Sequence, residues 1–299
     1  MPILADKLTF FGVPITRRGP VIAVKEKWWI VGLRHGVLLL FSLIALYPAI
    51  NVFSISIRPG DRLRSTDLAI FAENWTWSSY YQLFAEQPFL VWLFNSMVIA
   101  LAVTILGVAL ASVGGYALSR YRFVGRNASM LAILTTQMFP ATMLLLPLYV
   151  LIAKLKLINT FSGIMIFYTA TALPFCLWQM KGFYDTIPVS LEEAARIDGC
   201  SRWKTFLRIA LPLAVPGLVI TALFSFMTAW SEYIVAAQVL QKTEMYTLPL
   251  GLKSFEQTLS TQWGLYAAAS ILVSIPVVIV FMALSRYLVS GLTVGAVKE

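Results

Sequence analysis

From Phe89 to Leu118 the chain runs thirty residues without one charged side chain. Five further stretches are predominantly apolar: Gly36 to Ile57, Ala128 to Leu151, Phe161 to Phe183, Ala214 to Val235 and Leu265 to Val289. A membrane-spanning helix needs about 20 mostly apolar residues, and each stretch meets that length. The runs are continuous rather than alternating, which excludes a β-barrel. A mean hydropathy of +0.78 with only 12% charged residues over 299 positions excludes an ordinary soluble domain. The expected fold is therefore all-α: a polytopic membrane protein with six transmembrane helices.

Orientation follows from the basic residues. With the N-terminus in the cytoplasm, the inner segments hold Lys7, Arg17, Arg18, Lys25, Lys27 and Arg34, then Arg120, Arg122 and Arg126. The next inner segments add Lys181, Arg196, Arg202, Lys204 and Arg208, then Arg286 and Lys298. Sixteen of the 23 basic residues thus lie inside, as the positive-inside rule requires of a chain with both termini in the cytoplasm. Lys154 and Lys156 fall on the other side. The net charge of +9 needs no nucleic acid to explain it. The first apolar run follows some 35 residues that include Trp28 and Trp29, an interfacial pair, and no small-residue cleavage pattern ends it. It reads as an uncleaved span. Cys176 and Cys200 cannot form a disulfide framework, and Cys200 suits a reducing cytoplasm. His35, the single histidine, reads as a membrane-edge residue.

Several chemistries are absent from the sequence. No phosphate-cradling G-x-x-x-x-G-K-[ST] loop occurs, so the chain is not expected to hydrolyse ATP itself. One histidine and two distant cysteines make no zinc site of usual spacing. Neither a nucleophile elbow nor a dinucleotide fingerprint is present. The chain is not expected to be an enzyme.

The densest block of charge, Glu192 to Leu213, lies between the fourth and fifth runs. Ser190 with Glu193 three residues on forms a capping box, which predicts a helix starting at Leu191. Gly199 supplies a left-handed stop after about two turns. A second amphipathic segment, Arg202 to Ala210, is expected to stop at Pro212. Two short helices joined at a glycine elbow can seat a small-residue face, Ala194 and Ala195, in another protein's groove. They can equally rest on lipid headgroups through Arg202, Lys204 and Arg208.

Glu193-Ala194-Ala195, three residues, Gly199, nine residues, Ile209, one residue and Leu211-Pro212 resembles the EAA loop of ABC importer permeases, with all seven fixed positions filled. Chance agreement is on the order of one in 10⁸ per starting position. The stretches "WLFNSMVIA", "GYALSRYRFVGR", "QMFPATMLLLPLYVL", "LPFCLWQMKGFYDTIPVSLEEAARIDG" and "YLVSGLTVGAVKE" resemble the carbohydrate-uptake branch, most closely the maltose/maltodextrin-type second permease with six spans. Cys200 stands where that branch commonly has alanine. The resemblance implies a cytoplasmic N-terminal segment 1–35, a first span 36–57, an extracytoplasmic loop 58–88, a permease core 89–290 containing a cytoplasmic coupling loop 185–213, and a cytoplasmic tail 291–299. It implies docking of an ATPase by Glu193, Ala194, Ala195, Asp198, Gly199, Ile209, Leu211 and Pro212. The implied partners are a second, related permease subunit, two ATP-binding subunits that hold ATP and magnesium, an extracytoplasmic solute-binding protein, and membrane lipid. No cofactor is expected on this chain.

Other residues carry weaker readings. Gly107, Ala111 and Gly115 make a small-residue stripe that can pack either within the subunit or against the partner permease. Pro140, Pro147, Pro174 and Pro276 fall inside spans, where they free carbonyls for neighbours or cavity water. Glu232 is the sole carboxylate expected within a span. With Trp230 and Tyr233 it suggests a sugar-binding combination of rings and carboxylate, or else a solvated helix end. The long Gln238 to Gln262 connection is expected to touch the delivering binding protein. Rival functions are an ABC permease for an amino acid, phosphate or a glycerol-phosphate ester, and a secondary transporter, against which the absence of an intramembrane charge chain argues.

Overall fold

A computed structural model describes residues 9–10, 13–14, 27–59, 74–139, 141–256 and 261–296. The chain falls into two units, Met1–Ile50 and Asn51–Glu299. In the first, two-residue strands β1 (Thr9–Phe10) and β2 (Val13–Pro14) pair antiparallel. Helix α1 (Trp28–Ser56) begins in that unit, eight residues ahead of the expected span. It therefore takes in Trp28, Trp29 and His35, whose Nδ1 lies 2.7 Å from the Val31 carbonyl one turn back. Most of the N-terminal segment 1–35, residues 60–73 of the extracytoplasmic loop, Pro140 and the last three residues of the tail lie outside the described residues.

The second unit continues with α2 (Ser78–Ala85), α3 (Phe89–Arg120), α4 (Arg126–Thr136), α5 (Ala141–Lys154), α6 (Phe161–Thr186) and α7 (Val189–Ile197). Then follow α8 (Arg202–Thr205), a π-helical turn over Phe206–Ala210, α9 (Leu211–Leu213), α10 (Val215–Ser231), α11 (Ile234–Val239), α12 (Leu248–Lys253) and α13 (Trp263–Ala296). Every span is helical, as an apolar environment without water for the backbone demands.

Among the described residues four helices are long and apolar enough to cross a bilayer: α1, α3, α6 and α13. The segments Arg202–Leu213 and Val215–Ser231 make a fifth candidate bent by 76°. The expected third span is not one helix but two, of 11 and 14 residues. Their break at Gln137 to Phe139 immediately precedes Pro140, and a proline disfavours helical backbone in the residue before it. Pro147, Pro174 and Pro276 do lie inside helices.

Helix α3 is the axis of the second unit, packed along α6 and α10. Its small-residue stripe explains the close approach. A Cβ on Gly107 would lie 2.8 Å from Ser225 Oγ on α10, and one on Gly115 would lie 2.7 Å from Met180 Cβ on α6. Ala111 is fully buried between them, so the stripe packs inside this subunit. One apolar core joins the first half of α3 to α6, α10, α11 and α12 around Trp92, Ile99, Phe226 and Leu248. A second lies at the far end of α3, where Tyr116, Met180, Tyr184, Phe206 and Ala210 meet.

The connection after α11 is packed rather than loose. Trp92 Nε1 donates to the Thr243 carbonyl at 2.8 Å, and Asn95 Nδ2 donates to the carbonyls of Glu244 and Tyr246 at 2.8 and 3.0 Å. The Leu248 amide donates to Ser96 Oγ at 2.7 Å. Leu248, Leu250, Leu252 and Phe255 are buried.

Candidate functional site

The segment between α6 and α10 is built from local rules with two departures from expectation. Helix α7 starts at Val189 with Pro188 as its cap, and no side chain caps it. The Ser190 capping box does not form, because the helix already begins at Val189 and Ser190 is its second residue rather than its cap. The end agrees with expectation. Gly199 has φ +85°, its amide donates to the Arg196 carbonyl at 3.0 Å, and the Cys200 amide donates to the Ala195 carbonyl at 2.9 Å. These two bonds make a Schellman stop. Ser201 then caps α8, its Oγ accepting from the Lys204 amide at 3.4 Å.

Pro212 does not end the second segment, contrary to expectation; helix continues to Leu213 and bends at Ala214. The π-helical turn just before it provides the reason. The Leu211 amide reaches back five residues to the Phe206 carbonyl, which widens the backbone where a proline ring would otherwise strike the preceding turn.

The two faces of α7 differ in kind. Inward, Ala195 is buried and Glu192 has no exposed surface. The Glu192 carboxylate accepts from Tyr116 Oη at 2.6 Å and from Arg120 Nε at 2.6 Å, both on α3. Arg120 also donates through Nη2 to the Ile187 carbonyl at 2.9 Å. A fully buried carboxylate is tolerable only when paired and hydrogen-bonded in this way. Outward lie Leu191, Glu193, Ala194, Ile197 (87% exposed), Asp198 and Gly199, joined by Trp203 and Leu207. Ile209 and Leu211 are half-buried, while Pro212 is exposed.

The sequence reading singled out Glu193 and missed Glu192, Arg120 and Tyr116. The available signal was a carboxylate three residues before Ala195, on its helical face. Arg120 was counted only as an inner charge.

Of the three residues expected on a substrate path, Trp230 and Tyr233 come together and Glu232 stands apart. Helix α10 ends at Ser231, so Glu232 sits in extended backbone at the helix end and not within the span. Its carboxylate accepts from the Val235 amide at 3.0 Å and from Tyr168 Oη at 2.7 Å, anchoring the first turn of α11. A carboxylate is favourable there because it meets unpaired amides and the positive end of the helix. Trp230 is 2% exposed, stacks on Phe226 with centroids 5.3 Å apart, and donates to the Val273 carbonyl at 3.3 Å. Trp230 and Tyr233 line a cavity of about 460 Å³ with Lys253, Glu256, Tyr266 and Ser270; Glu232 does not. Lys253 and Glu256 pair at 2.6 Å, and that hydrogen bond raises the lysine above its ordinary pKa.

Residues 103–294 match the family described as binding-protein-dependent transport system inner membrane component. The maltodextrin transport system permease protein MdxG of Bacillus subtilis is 36% identical over 262 residues, covering 87% of this chain and 94% of that protein. The diacetylchitobiose uptake system permease protein DasC of Streptomyces coelicolor is 33% identical over 253 residues, covering 85% and 92%. Among solved structures, a bacterial ABC transporter involved in import of the acidic polysaccharide alginate superposes with a TM-score of 0.74 at 27% identity, covering 87% of this chain and 96% of that one.

Proposed function

This chain belongs to the binding-protein-dependent transport system inner membrane components, as a carbohydrate-uptake ABC permease, and on that premise we propose that it moves a malto-oligosaccharide or similar oligosaccharide across the cytoplasmic membrane by alternating access. In this reading both termini face the cytoplasm. A second, related permease completes the path, two ATP-binding subunits supply ATP and magnesium chemistry, and an extracytoplasmic binding protein delivers the sugar. The names of relatives support the substrate class: MdxG is a maltodextrin permease, DasC a diacetylchitobiose permease, and MalG of Photorhabdus laumondii a maltose/maltodextrin permease.

The observation that carries the coupling role is the two-faced helix α7. Its inner face is tied to α3 through Glu192, while Leu191, Ala194 and Ile197 leave an apolar outer face that no described residue of the chain covers. In this proposal that face, with Glu193, Asp198, Gly199, Ile209, Leu211 and Pro212, forms the element seated in an ATPase subunit, while Ala195, expected there from the motif, is buried on the inner face. Closure of the ATPase pair then shifts the permease between two arrangements, with binding energy as the source of the bias. The cavity at Trp230 and Tyr233 is the proposed wall of the sugar path, where the rings of Tyr233 and Tyr266 can stack on pyranose faces and the buried Trp230 backs the wall. Glu232 holds α11 beside it and does not grip sugar.

Solute-stimulated ATPase activity of the assembled transporter, with its binding protein and a panel of maltose, maltotriose, diacetylchitobiose, arabino-oligosaccharide, an amino acid mixture and a glycerol-phosphate ester, tests the substrate class. Strong stimulation by maltotriose is expected. Stimulation only by an amino acid or a glycerol-phosphate ester would exclude the sugar reading. Gly199→Asp in the same assay should assemble normally and lose stimulation, since a side chain at φ +85° costs roughly 1–2 kcal/mol and re-aims the helix.

A further inference from the structure

Beneath the coupling helix lies a second cavity of about 410 Å³ that the transport reading does not use. Its walls carry Arg120, Arg122, Arg126, Arg196 and Arg202, drawn from the end of α3, the turn after it, and helices α4, α7 and α8. Of these, Arg120 is paired with Glu192. The other nearby carboxylate, Asp185, is bound to Lys181 and Ser119. No carboxylate lies within ion-pair distance of Arg122, Arg196 or Arg202 among the described residues. Arg126 has a buried Nε with no hydrogen-bond partner, and its Nη2 makes only a 3.4 Å bond to the Ser119 carbonyl. Arg202 lies over the Tyr121 ring at 5.8 Å from its centroid. Arg126 also acts electrostatically on the Asp185 carboxylate, which leaves Arg122, Arg196 and Arg202 without a counter-charge within ion-pair distance among the described residues, and the planar donors of arginine match phosphate oxygens.

The basic cavity does not stand alone. An apolar cavity of about 240 Å³ shares Tyr116, Tyr121 and Arg202 with it and is otherwise lined by Val113, Ala117, Trp203 and Phe206. Val113 and Ala117 belong to the last turns of span α3, so this groove runs from the arginines toward the hydrocarbon. A free phosphate would use only the first cavity. An amphiphile with an anionic head and an acyl chain uses both.

We propose that the arginine cavity and its apolar extension form a binding site for one anionic phospholipid, the phosphate among Arg122, Arg126, Arg196 and Arg202 and an acyl chain along Val113, Ala117, Trp203 and Phe206. The site lies on the face that the distribution of basic residues assigns to the cytoplasm, where anionic headgroups attract basic pockets between spans. Because Arg196 is on α7 and Arg202 on α8, the lipid braces both arms of the elbow against α3. The proposal is independent of which solute is carried.

The assembled transporter, purified in dodecyl maltoside and stripped of lipid, is titrated with phosphatidylglycerol, with phosphatidylcholine as control, and bound lipid is read by native mass spectrometry. Retention of phosphatidylglycerol over phosphatidylcholine is expected. Arg122→Gln and Arg196→Gln, both at exposed positions, should each weaken it about fivefold. Ala117→Trp, which fills the apolar groove, should weaken it with every arginine intact. Equal retention of the two lipids, or wild-type retention by the Arg122→Gln/Arg196→Gln variant, would overturn the proposal. Displacement of phosphatidylglycerol by millimolar inorganic phosphate would overturn it as well, making the cavity a free-anion site.

Discussion

At Glu192 a carboxylate is held without any exposed surface by a tyrosine and an arginine of α3. Removing one member of a buried pair leaves the other uncompensated, which costs about 3–5 kcal/mol, whereas replacing both by apolar groups is often neutral. Glu192→Leu should therefore lower the melting temperature of the solubilised protein steeply, and Arg120→Met with Glu192→Leu should recover much of the loss. Additive losses in the double variant would show that the pair is not energetically coupled. The same position shows what a sequence motif can and cannot convey. Glu193 belongs to the matched pattern and Glu192 does not, yet Glu192 is the one turned inward. Matching identifies a segment, but the direction of a side chain depends on the surface beneath it, here the end of α3, which lies 72 residues away in sequence.

Among the elements, those governed by neighbours in sequence were the most legible. The Gly199 stop needs only a few adjacent residues and forms as expected, whereas the Ser190 capping box, equally local, gives way to an earlier start at Val189. The extent of the third apolar run was misjudged because composition alone does not register a proline's effect on the residue before it. The packing of the connection after α11 is hidden in the sequence, because its buried leucines are interleaved with Lys242, Glu244 and Lys253. Its contacts come from α3, about 150 residues earlier. That packing gives a prediction at the scale of the element. A Cβ at Gly251 would collide with the Trp92 ring, so Gly251→Val should destabilise the protein by roughly 1–3 kcal/mol. Limited proteolysis should then cut near residues 242–256 in the variant and not in the parent. An unchanged melting point and an unchanged digest would mean the connection is looser than its hydrogen bonds indicate. Replacing Lys242 to Ser254 by glycines would consequently remove part of the core as well as a surface.

For the whole molecule, the proposed orientation with both termini in the cytoplasm assigns every loop a side, and the cysteines offer a direct check. Cys176 is buried and Cys200 is partly exposed at the elbow after α7. A membrane-impermeant maleimide should therefore label the native protein in opened membranes only, and at Cys200. Labelling of Cys200 in intact cells would place the elbow outside and reverse the orientation. Cysteines introduced at Lys242 or Glu256 should react from outside in intact cells. The bend at Ala214 gives this topology a mechanical meaning. Helices α8 to α9 and helix α10 are two stiff arms set 76° apart at one joint, the geometry of a bell crank. In such a device a sideways pull on one arm becomes a near-perpendicular stroke of the other. Motion of an ATPase subunit parallel to the membrane surface would thus emerge as a tilt of α10 through the bilayer, moving Trp230 at its far end without stretching or unwinding any span.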